Sequence, residues 1–335
     1  MKSPEELAAF VREALGLAPG DALELRPLAG RGSDRAYYRA RYDVGSHGGS
    51  AILTHYGAAR VENSYYAGIA AFLAGVGVPV PSVIRHRDEG GEGMVLQEDL
   101  GETDLWALRD APWEVRGALY RKTLEAVHRL HSHPERDFPK GRVRLMEEFS
   151  PAYYRWERDY FKTNFLGVLR GVGLEDGEGR ELESELDALA GRLLAGRRRL
   201  VHRDLQSQNV MLRQGAGGVE PVLIDFQGMR FGNRFYDLAS LLCDPYVAFS
   251  DGQRLELLEH AYALDGEGMD WGRFQTSFWE AAAQRLMQAL GAYGMLGVVK
   301  GLTGYLRHVA PALGNLRLAT RNAGSLPRLQ AVAER

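Results

Sequence analysis

The chain has 335 residues, of which 45% are hydrophobic and 25% charged, a composition that excludes a disordered or fibrous protein. A net charge of -3 gives no basic surface for nucleic acid. No apolar run reaches the roughly 18 residues of a membrane span, and no signal peptide is visible. The single cysteine, Cys243, excludes an internal disulfide. We expect a cytoplasmic protein, a monomer or weak homodimer, with no nucleic-acid or membrane partner.

The basic residues are unevenly divided between lysine and arginine. Only five of the 41 are lysines, and none lies between Lys2 and Lys122. A general preference for arginine explains the count. The interval becomes informative if the fold normally needs a lysine in that stretch.

The first hundred residues have the pattern of a small antiparallel sheet with one inserted helix. Ser3 and Glu6 form a capping box for a first helix over residues 4–16, with Pro4 in its first turn. Glycine-containing turns separate the first predicted strands. Strands are predicted at 22–28, 36–42, 50–56, 82–86 and 93–98, and the inserted helix at 61–74.

The chain after Asp99-Leu100-Gly101 has mostly helical periodicity, with one strand-rich stretch at 199–224. We place a hinge at 98–101, which gives an N-terminal lobe over 1–100 and a helical C-terminal lobe over 101–335. Helices are predicted at 113–132, 147–165, 178–196, 235–246, 252–263, 271–293 and 297–308.

The strand-rich stretch contains the residues that carry chemistry. Residues 202–209 read H-R-D-L-Q-S-Q-N, and an apolar run delivers Asp225 sixteen residues after Asn209. Phosphoryl transfer needs a carboxylate to orient the attacking hydroxyl and hard oxygen ligands for Mg²⁺. We therefore predict Asp204 as the catalytic base and Asn209 and Asp225 as metal ligands, with His202 supporting the loop. An ordinary strand–turn–strand with polar turn residues is the alternative, which the complete run disfavours.

This pattern resembles the aminoglycoside phosphotransferase branch of the protein-kinase-like fold, which includes choline and homoserine kinases. The resemblance implies an α+β, bilobal fold: a small antiparallel β lobe with one helix, and a larger mainly helical lobe. It assigns Asp237 to structure. Only eleven residues separate Asp225 from Asp237, and there is no A-P-E run, so a peptide-docking protein kinase is disfavoured.

A narrower resemblance covers nearly the whole chain. The runs S-D-R-A-Y-Y-R at 33–39, D-L-G at 99–101 and I-D-F-Q at 224–227 are similar to bacterial cell-wall amino-sugar kinases. These make the 1-phosphate of N-acetylmuramate or N-acetylglucosamine in peptidoglycan recycling. The resemblance implies ATP, Mg²⁺ and a sugar acceptor. Gln206 departs from it, because the branch usually has a second histidine there.

The predicted nucleotide site has one clear departure from kinase-like folds. Those folds place a lysine on the third strand, paired with a glutamate on the next helix, but residues 51–56 contain no lysine. Glu62 can pair with Arg39 or Arg60, or simply favour the helix N-terminus. Backbone N–H and C=O groups of the predicted hinge can hydrogen-bond to the edge of an adenine base. Because such contacts do not depend on side chains, the sequence does not distinguish ATP from GTP. The predicted nucleotide contacts are Gly32, Ser33, Arg39, Gln97, Glu98 and Leu100.

The residues that contact the acceptor are the hardest part of the site to predict from the sequence. Aromatic residues on the helix at 147–165 either stack on a sugar or belong to the core. The candidate acceptor contacts are Tyr153, Trp156, Arg203, Gln206, Gln208, Asp244 and Arg285. A pocket of mixed amides and arginine would favour an acetylated sugar, and a pocket rich in acidic side chains would favour a cationic aminoglycoside. Two alternatives stay open: an aminoglycoside or other small-alcohol kinase of the choline or homoserine type, with the same catalytic residues, and a non-catalytic pseudokinase. The intact Asp204, Asn209 and Asp225 argue against the second.

Overall fold

A computed structural model describes residues 2–28, 35–44, 47–173, 176–215, 217–266 and 268–335. Its strands are β1 (Ala22–Leu28), β2 (Ala36–Val44), β3 (His47–Tyr56), β4 (Val83–Glu89), β5 (Glu92–Glu98), β6 (Arg198–Val201), β7 (Val210–Gly215), β8 (Gly218–Leu223) and β9 (Arg230–Asn233). Its helices are α1 (Pro4–Leu15), α2 (Tyr66–Gly75), α3 (Trp113–Ser132), α4 (Pro151–Phe161), α5 (Asp176–Ala195), α6 (Phe235–Leu242), α7 (Asp251–Leu264), α8 (Trp271–Gly294), α9 (Val309–Ala323) and α10 (Pro327–Glu334).

The chain divides into two units that are not continuous in sequence. The first unit runs to Thr103 and also takes in Pro139–Met146 and Met211–Gly228. The second comprises Asp104–Phe138, Glu147–Val210 and Met229–Arg335. The sequence prediction assigned every residue after 100 to the helical lobe, and it contained no segment returning to the first unit.

The first unit is built on a five-stranded antiparallel sheet in the order β1-β2-β3-β5-β4. Helix α1 begins with the predicted capping box of Ser3 and Glu6. Its buried side chains cover one face of the sheet, because apolar residues recur there at helical spacing. The resulting core comprises Leu7, Phe10, Val11, Ala40, Ala51, Leu53, Met94 and Leu96.

The ribbon formed by β7 and β8 explains why residues 211–228 belong to the first unit. The Leu223 N–H donates to the Pro79 carbonyl at 2.9 Å, and the Leu212 N–H donates to the Thr103 carbonyl at 2.9 Å. Leu212, Val222 and Leu223 are buried. The ribbon ends at Leu223, two residues before Asp225, so backbone hydrogen bonds position that residue within the first unit.

The second unit is organised around α8, whose side chains are buried along most of its length. Helices α4, α6 and α9 pack against it. Several polar residues on α8 are also buried, among them Gln284 and Arg285. Because a buried polar group must find partners, these residues mark a hydrogen-bonded interior.

The predicted helix at 297–308 is wrong. A π-helical turn ends at Val299, Gly301 adopts a φ of 68°, and a 3-10 turn follows at Thr303–His308. A residue in the left-handed conformation cannot continue an α-helix. The helix therefore ends here, although apolar residues continue at helical spacing. Helix α6 also ends four residues before the predicted end, ahead of Pro245.

Cys243 follows α6 and is buried at 2% exposure, and burial raises the pKa of its thiol to about 12. A thiol with so high a pKa does not supply a thiolate at neutral pH. In the described part of the chain, no helix combines the length and the apolar character needed to cross a membrane.

The close approach of α8 to residues 162–169 gives a stability prediction. A Cβ on Gly294 would overlap the carbonyl oxygen of Asn164, so we expect Gly294→Ala to lower the free energy of unfolding by about 1–3 kcal/mol. A Cβ on Gly314 in α9 meets nothing within 4 Å, and Gly314→Ala should raise that free energy by roughly 0.5–1 kcal/mol. Urea unfolding of both variants checks this. Equal effects would contradict the close approach.

Candidate active site

The loop at 202–209 joins β6 to β7 and is held by one buried carboxylate. Asp237, which is 0% exposed, accepts hydrogen bonds from the backbone N–H groups of His202 at 2.7 Å and Arg203 at 2.8 Å. His131 of α3 lies 2.9 Å away through Nε2. The His202 ring in turn accepts the Asp204 N–H through Nδ1 at 3.3 Å. The loop therefore has a defined conformation before any ligand arrives.

Strained backbone occurs in both sequence motifs, the run at 202–209 and the run at 224–227. Among the described residues, the non-glycine residues with positive φ are Arg203 at 78° and Asp225 at 63°. Such a conformation costs on the order of 1–3 kcal/mol and persists only where the surroundings enforce it. One of these residues precedes the predicted base, and the other is a predicted metal ligand.

The two carboxylate oxygens of Asp204 have different surroundings. Oδ1 accepts hydrogen bonds from Gln206 Nε2 at 3.0 Å and from Arg285 Nη2 at 2.9 Å. Oδ2 has Arg203 Nη1 at 4.0 Å. Two donors therefore fix the carboxylate through one oxygen, and the other oxygen can accept the proton of an acceptor hydroxyl. Gln206 and Arg285, which sequence analysis assigned to the acceptor, contact the predicted base.

Arg285 is a rigid partner for Asp204. Its guanidinium also donates to Ser240 Oγ at 2.8 Å and to Gln288 Oε1 at 2.5 Å. The residue is 5% exposed. Since all three guanidinium nitrogens have acceptors, the carboxylate is held by a side chain that is itself fixed.

Asn209 is oriented by its amide nitrogen. Nδ2 donates to the Asp204 carbonyl at 2.8 Å, so its Oδ1 can bind a cation. An amide oxygen and a carboxylate are hard ligands that suit Mg²⁺, which also takes phosphate oxygens and water. The described residues contain no group of three or more His, Cys, Asp or Glu that could hold a metal ion. A Mg²⁺ ion shared with a nucleotide needs no such group.

Asp225, in the first unit, follows β8 and begins a tight 3-10 turn over Phe226–Gly228. Its Oδ1 accepts hydrogen bonds from Arg35 Nη2 at 2.5 Å and from Gln227 Nε2 at 2.8 Å. The next ring, Phe226, stacks on Tyr66 of α2 with centroids 4.6 Å apart and an interplanar angle of 17°. Asp225 is thus connected both to the residue preceding β2 and to α2.

The arginines of the lysine-free interval are placed differently from the expectation for Arg39. Arg39 Nε lies 2.8 Å from Asp99 Oδ2, its Nη1 2.5 Å from Glu102 Oε1, and its Nη2 3.2 Å from the Gly101 carbonyl. Arg39 therefore braces residues 99–102. Arg35 is the residue whose guanidinium meets Asp225, and its side chain is 11% exposed. Sequence analysis missed it, although it directly follows the glycine-containing run G-R-G-S-D at 30–34.

The predicted hinge residues lie at the end of β5. Gln97 is paired with Ile52 of β3. The Glu98 carboxylate accepts from Arg213 Nε and Nη2, both at 2.8 Å, and its N–H donates to the Ser82 carbonyl at 2.9 Å. Leu100 follows in the segment that Arg39 braces. Gly32 and Ser33 lie outside the described residues.

The remaining acceptor candidates all belong to the second unit. Asp244 is 1% exposed, and its carboxylate accepts from Ser207 N–H and Oγ at 2.8 and 2.6 Å and from the Tyr246 N–H at 3.0 Å. Burial raises the pKa of this carboxyl to about 6. Gln208 is half-buried. Trp156 is half-exposed on α4, between Tyr153 and Tyr160.

Comparison with known proteins identifies the family of this chain. Residues 24–275 match the model of the phosphotransferase enzyme family. An N-acetylmuramate/N-acetylglucosamine kinase of Neisseria meningitidis is 26% identical over 307 residues, which cover 89% of this chain and 86% of that protein. A Pseudomonas aeruginosa protein of the same name is 28% identical over 246 residues, covering 72% and 65%.

A solved structure of a type VIII aminoglycoside-3'-phosphotransferase has the same fold. It superposes with a TM-score of 0.55 at 18% identity and covers 85% of this chain and 98% of its own. The chain belongs to the phosphotransferase enzyme family. The resemblance to aminoglycoside phosphotransferases and the predicted α+β, protein-kinase-like fold are confirmed.

The buried Asp244 gives a pH prediction. Its pKa of about 6 exceeds the ordinary value of 3.8, so the folded protein binds this proton more tightly than the unfolded chain. The stabilisation of the folded protein by this proton is therefore fully present below pH 4, and it is lost as the pH rises from 4 to 6. Relative to Asp244→Asn, the wild type should lose on the order of 3 kcal/mol across that range.

Urea unfolding at half-unit pH steps from 4 to 7 measures this difference. The matched control is Asp110→Asn, because the Asp110 side chain is 87% exposed, and its profile should run parallel to the wild type. A D244N profile parallel to both would show that Asp244 has an ordinary pKa.

Proposed function

We propose that this protein is a kinase that uses ATP and Mg²⁺ to phosphorylate the anomeric hydroxyl of an N-acetylated amino sugar, N-acetylmuramate or N-acetylglucosamine. Membership of the phosphotransferase family supports the reaction, and the names of the two curated relatives support the acceptor. The observation that carries the proposal is the Asp204 carboxylate, anchored through Oδ1 and able to accept a proton at Oδ2. Cytoplasmic recycling of cell-wall sugars is the proposed setting.

Asp204 is the proposed general base. Oδ2 accepts the proton of the acceptor hydroxyl, while Gln206 and Arg285 keep the carboxylate oriented through Oδ1. An anomeric hydroxyl is more acidic than other sugar hydroxyls, so a carboxylate can accept its proton late in the transfer. His202 and Asp237 position the base by fixing the backbone of the loop.

The Asn209 Oδ1 and the Asp225 carboxylate are the proposed ligands of Mg²⁺. When bound, the ion neutralises charge that develops on the phosphate oxygens. Gln227 orients Asp225 through Oδ1. Backbone groups of Gln97, Glu98 and Leu100 are proposed to meet the base of ATP or GTP.

Arg35 is the proposed substitute for the absent third-strand lysine. Its guanidinium already lies against the carboxylate that would hold the metal. A forked, permanently charged group there can also bind a phosphate oxygen. Arg39 is proposed to support the nucleotide site by bracing residues 99–102. Gly32 and Ser33 keep their predicted role as nucleotide contacts.

Arg203, Tyr153, Trp156 and Gln208 are the proposed acceptor contacts. Gln206 and Arg285 are proposed to act on the acceptor through the Asp204 carboxylate. Asp244 acts through Ser207, because its oxygens already accept hydrogen bonds from that residue and from Tyr246.

The product identifies the reaction. With ATP and Mg²⁺, we expect N-acetylmuramate or N-acetylglucosamine to become a sugar 1-phosphate, detected by ³¹P NMR through coupling to the anomeric proton. Asp204→Asn should reduce turnover by about 10²–10⁴-fold, since a general base contributes that much. Its affinity for Mg²⁺-ATP, measured by calorimetry, should stay within about threefold of wild type.

The matched control is Asp251→Asn, whose side chain is 89% exposed and which should keep wild-type turnover. Phosphorylation of an aminoglycoside or another alcohol, with neither amino sugar accepted, would overturn the proposed acceptor. Wild-type turnover in D204N would overturn the proposed base.

A pair of arginine variants tests the nucleotide site. Arg35→Met should weaken Mg²⁺-ADP binding about tenfold or more, because a charged hydrogen bond to a phosphate is worth about 1.5–3 kcal/mol. Arg26→Met is the matched control, since Arg26 is exposed and pairs with Glu24 on the same strand. Calorimetric titration measures both. Loss of affinity in Arg39→Met with none in R35M would reverse the proposed roles.

A further inference from the structure

Tyr246 is joined to the catalytic loop of the second unit by one buried carboxylate. The Tyr246 N–H donates to Asp244 Oδ1 at 3.0 Å. The other oxygen of that carboxylate, Oδ2, accepts from the N–H and the hydroxyl of Ser207 at 2.8 and 2.6 Å. Ser207 follows Asp204 by three residues. Hydrogen bonds within the protein therefore fix Tyr246 relative to the proposed base.

The Tyr246 ring is held by neighbouring rings. It contacts the His308 ring with centroids 4.2 Å apart and an interplanar angle of 79°. The buried Tyr293 ring lies at 6.4 Å and 71°, and Tyr305 stacks on Tyr293 at 6.4 Å and 25°. These four residues form an aromatic cluster. Tyr246 and Tyr305 are only half-buried, so the cluster keeps apolar surface that a ligand can contact.

His308 supports the aromatic cluster as a neutral ring. Its Nε2 lies 3.0 Å from Arg307 Nε, which is a donor, so Nε2 must accept. Burial lowers the pKa of His308 to about 4, and the Arg307 charge contributes to this, although a hydrogen bond to the Pro245 carbonyl opposes it. At neutral pH the imidazole is uncharged and hydrogen-bonded. It is therefore a fixed support for the Tyr246 ring.

The Tyr246 hydroxyl accepts a hydrogen bond from Tyr293. Burial raises the pKa of Tyr246, whereas the hydrogen bond with Tyr293 lowers it. That hydrogen bond raises the pKa of Tyr293, for which burial is the largest cause. A donor stabilises the phenolate of its partner and loses acidity itself, so Tyr293 donates and Tyr246 accepts. The proton of Tyr246 is therefore directed to another acceptor.

Two carboxylates lie near the Tyr246 hydroxyl. After burial, the negative charges of Asp244 and Asp204 are further causes of its raised pKa. In the described part of the chain, neither carboxylate accepts a hydrogen bond from this hydroxyl, because their partners are those already given. The hydroxyl is thus a positioned donor, close to the proposed base, whose proton is available to a ligand.

We propose that Tyr246 donates this hydrogen bond to the carbonyl of the acceptor's N-acetyl group, and that the aromatic cluster packs against the methyl group. The inference rests on the proposed function and adds the residue that recognises the acetamido substituent. In both named sugars that substituent is on C2, next to the anomeric carbon, and so lies near Asp204 during transfer. A free amine at C2 is an ammonium group, which has no lone pair to accept the proton of Tyr246.

The Tyr246→Phe variant tests the hydrogen bond, because it keeps the ring and removes the hydroxyl. We expect its KM for N-acetylglucosamine to rise roughly three- to tenfold, the effect of losing one neutral hydrogen bond. Its KM for ATP should stay within about twofold of wild type. Tyr262→Phe is the matched control. The Tyr262 hydroxyl on α7 donates to the Met269 carbonyl at 2.8 Å, so both KM values should stay as in the wild type.

A change in the ligand identifies the group that Tyr246 meets. N-trifluoroacetylglucosamine keeps the amide, but its carbonyl is a weaker acceptor, so the wild-type KM should be higher for this sugar than for N-acetylglucosamine. The ratio of the two KM values should be about two- to threefold smaller in Y246F. Effects of the size of fluorine are common to both proteins and cancel in this comparison. The same ratio in the wild type and in Y246F would overturn the proposal.

The failure of this inference is distinguishable from failure of the proposed function. A lower kcat in Y246F with an unchanged KM for the sugar would mean that Tyr246 acts on the loop through Asp244, and it would overturn the sugar contact. If circular dichroism shows that Y246F does not fold, equal wild-type KM values for the two glucosamine derivatives overturn it instead. Phosphorylation of N-acetylglucosamine with no effect of Y246F rejects the contact and leaves the proposed function standing. Failure of the wild type to phosphorylate either named sugar rejects both.

Discussion

The carboxylate of Asp237 is the constraint on which the loop at 202–209 in the second unit depends. It is removed from solvent and accepts two successive backbone N–H groups, those of His202 and Arg203. A buried acceptor with this many donors is costly to disturb, because any lost partner leaves an unsatisfied charge. The left-handed backbone at Arg203 is a consequence, and the direction of the Asp204 side chain follows from that turn. A residue on α6 thus determines the backbone geometry of the loop that carries Asp204.

Much of this arrangement was predictable because its determinants are local. The run from His202 to Asn209, the strand before Asp225 and the capped helix at the N-terminus each depend on neighbours a few residues away. The existence of the five strands of the first sheet and the ends of α3 and α8 also followed from periodicity. The failures occurred where the backbone leaves the helical conformation although the apolar spacing continues. Gly301, with its positive φ, is an example. Helices α9 and α10 were not predicted.

The tertiary partners of Asp204 and Asp225 were harder to predict from the sequence. Arg285 lies 81 residues from Asp204, and Arg35 lies 190 residues from Asp225. Sequence analysis recognised Arg285 as polar and relevant but assigned it to the acceptor, and it passed over Arg35 in favour of Arg39. The choice among arginines depends on tertiary packing, which decides where each side chain can reach. Residues 51–56 contain no lysine, which made an arginine the candidate replacement. Only the three-dimensional structure separates the arginine at Asp225 from the one at residues 99–102.

The stacked rings of Tyr66 and Phe226 have a mechanical consequence. Phe226 is the immediate neighbour of Asp225, and Tyr66 is the first residue of α2, so the two rings couple a carboxylate to a helix through one rigid contact. Packed interiors are stiff and transmit displacement. A ligand that pulls on the carboxylate therefore also loads the helix, and a shift of the helix alters the angle at which the carboxylate is presented. Ligand binding at Asp225 and the position of α2 are therefore coupled through the contact between these two rings.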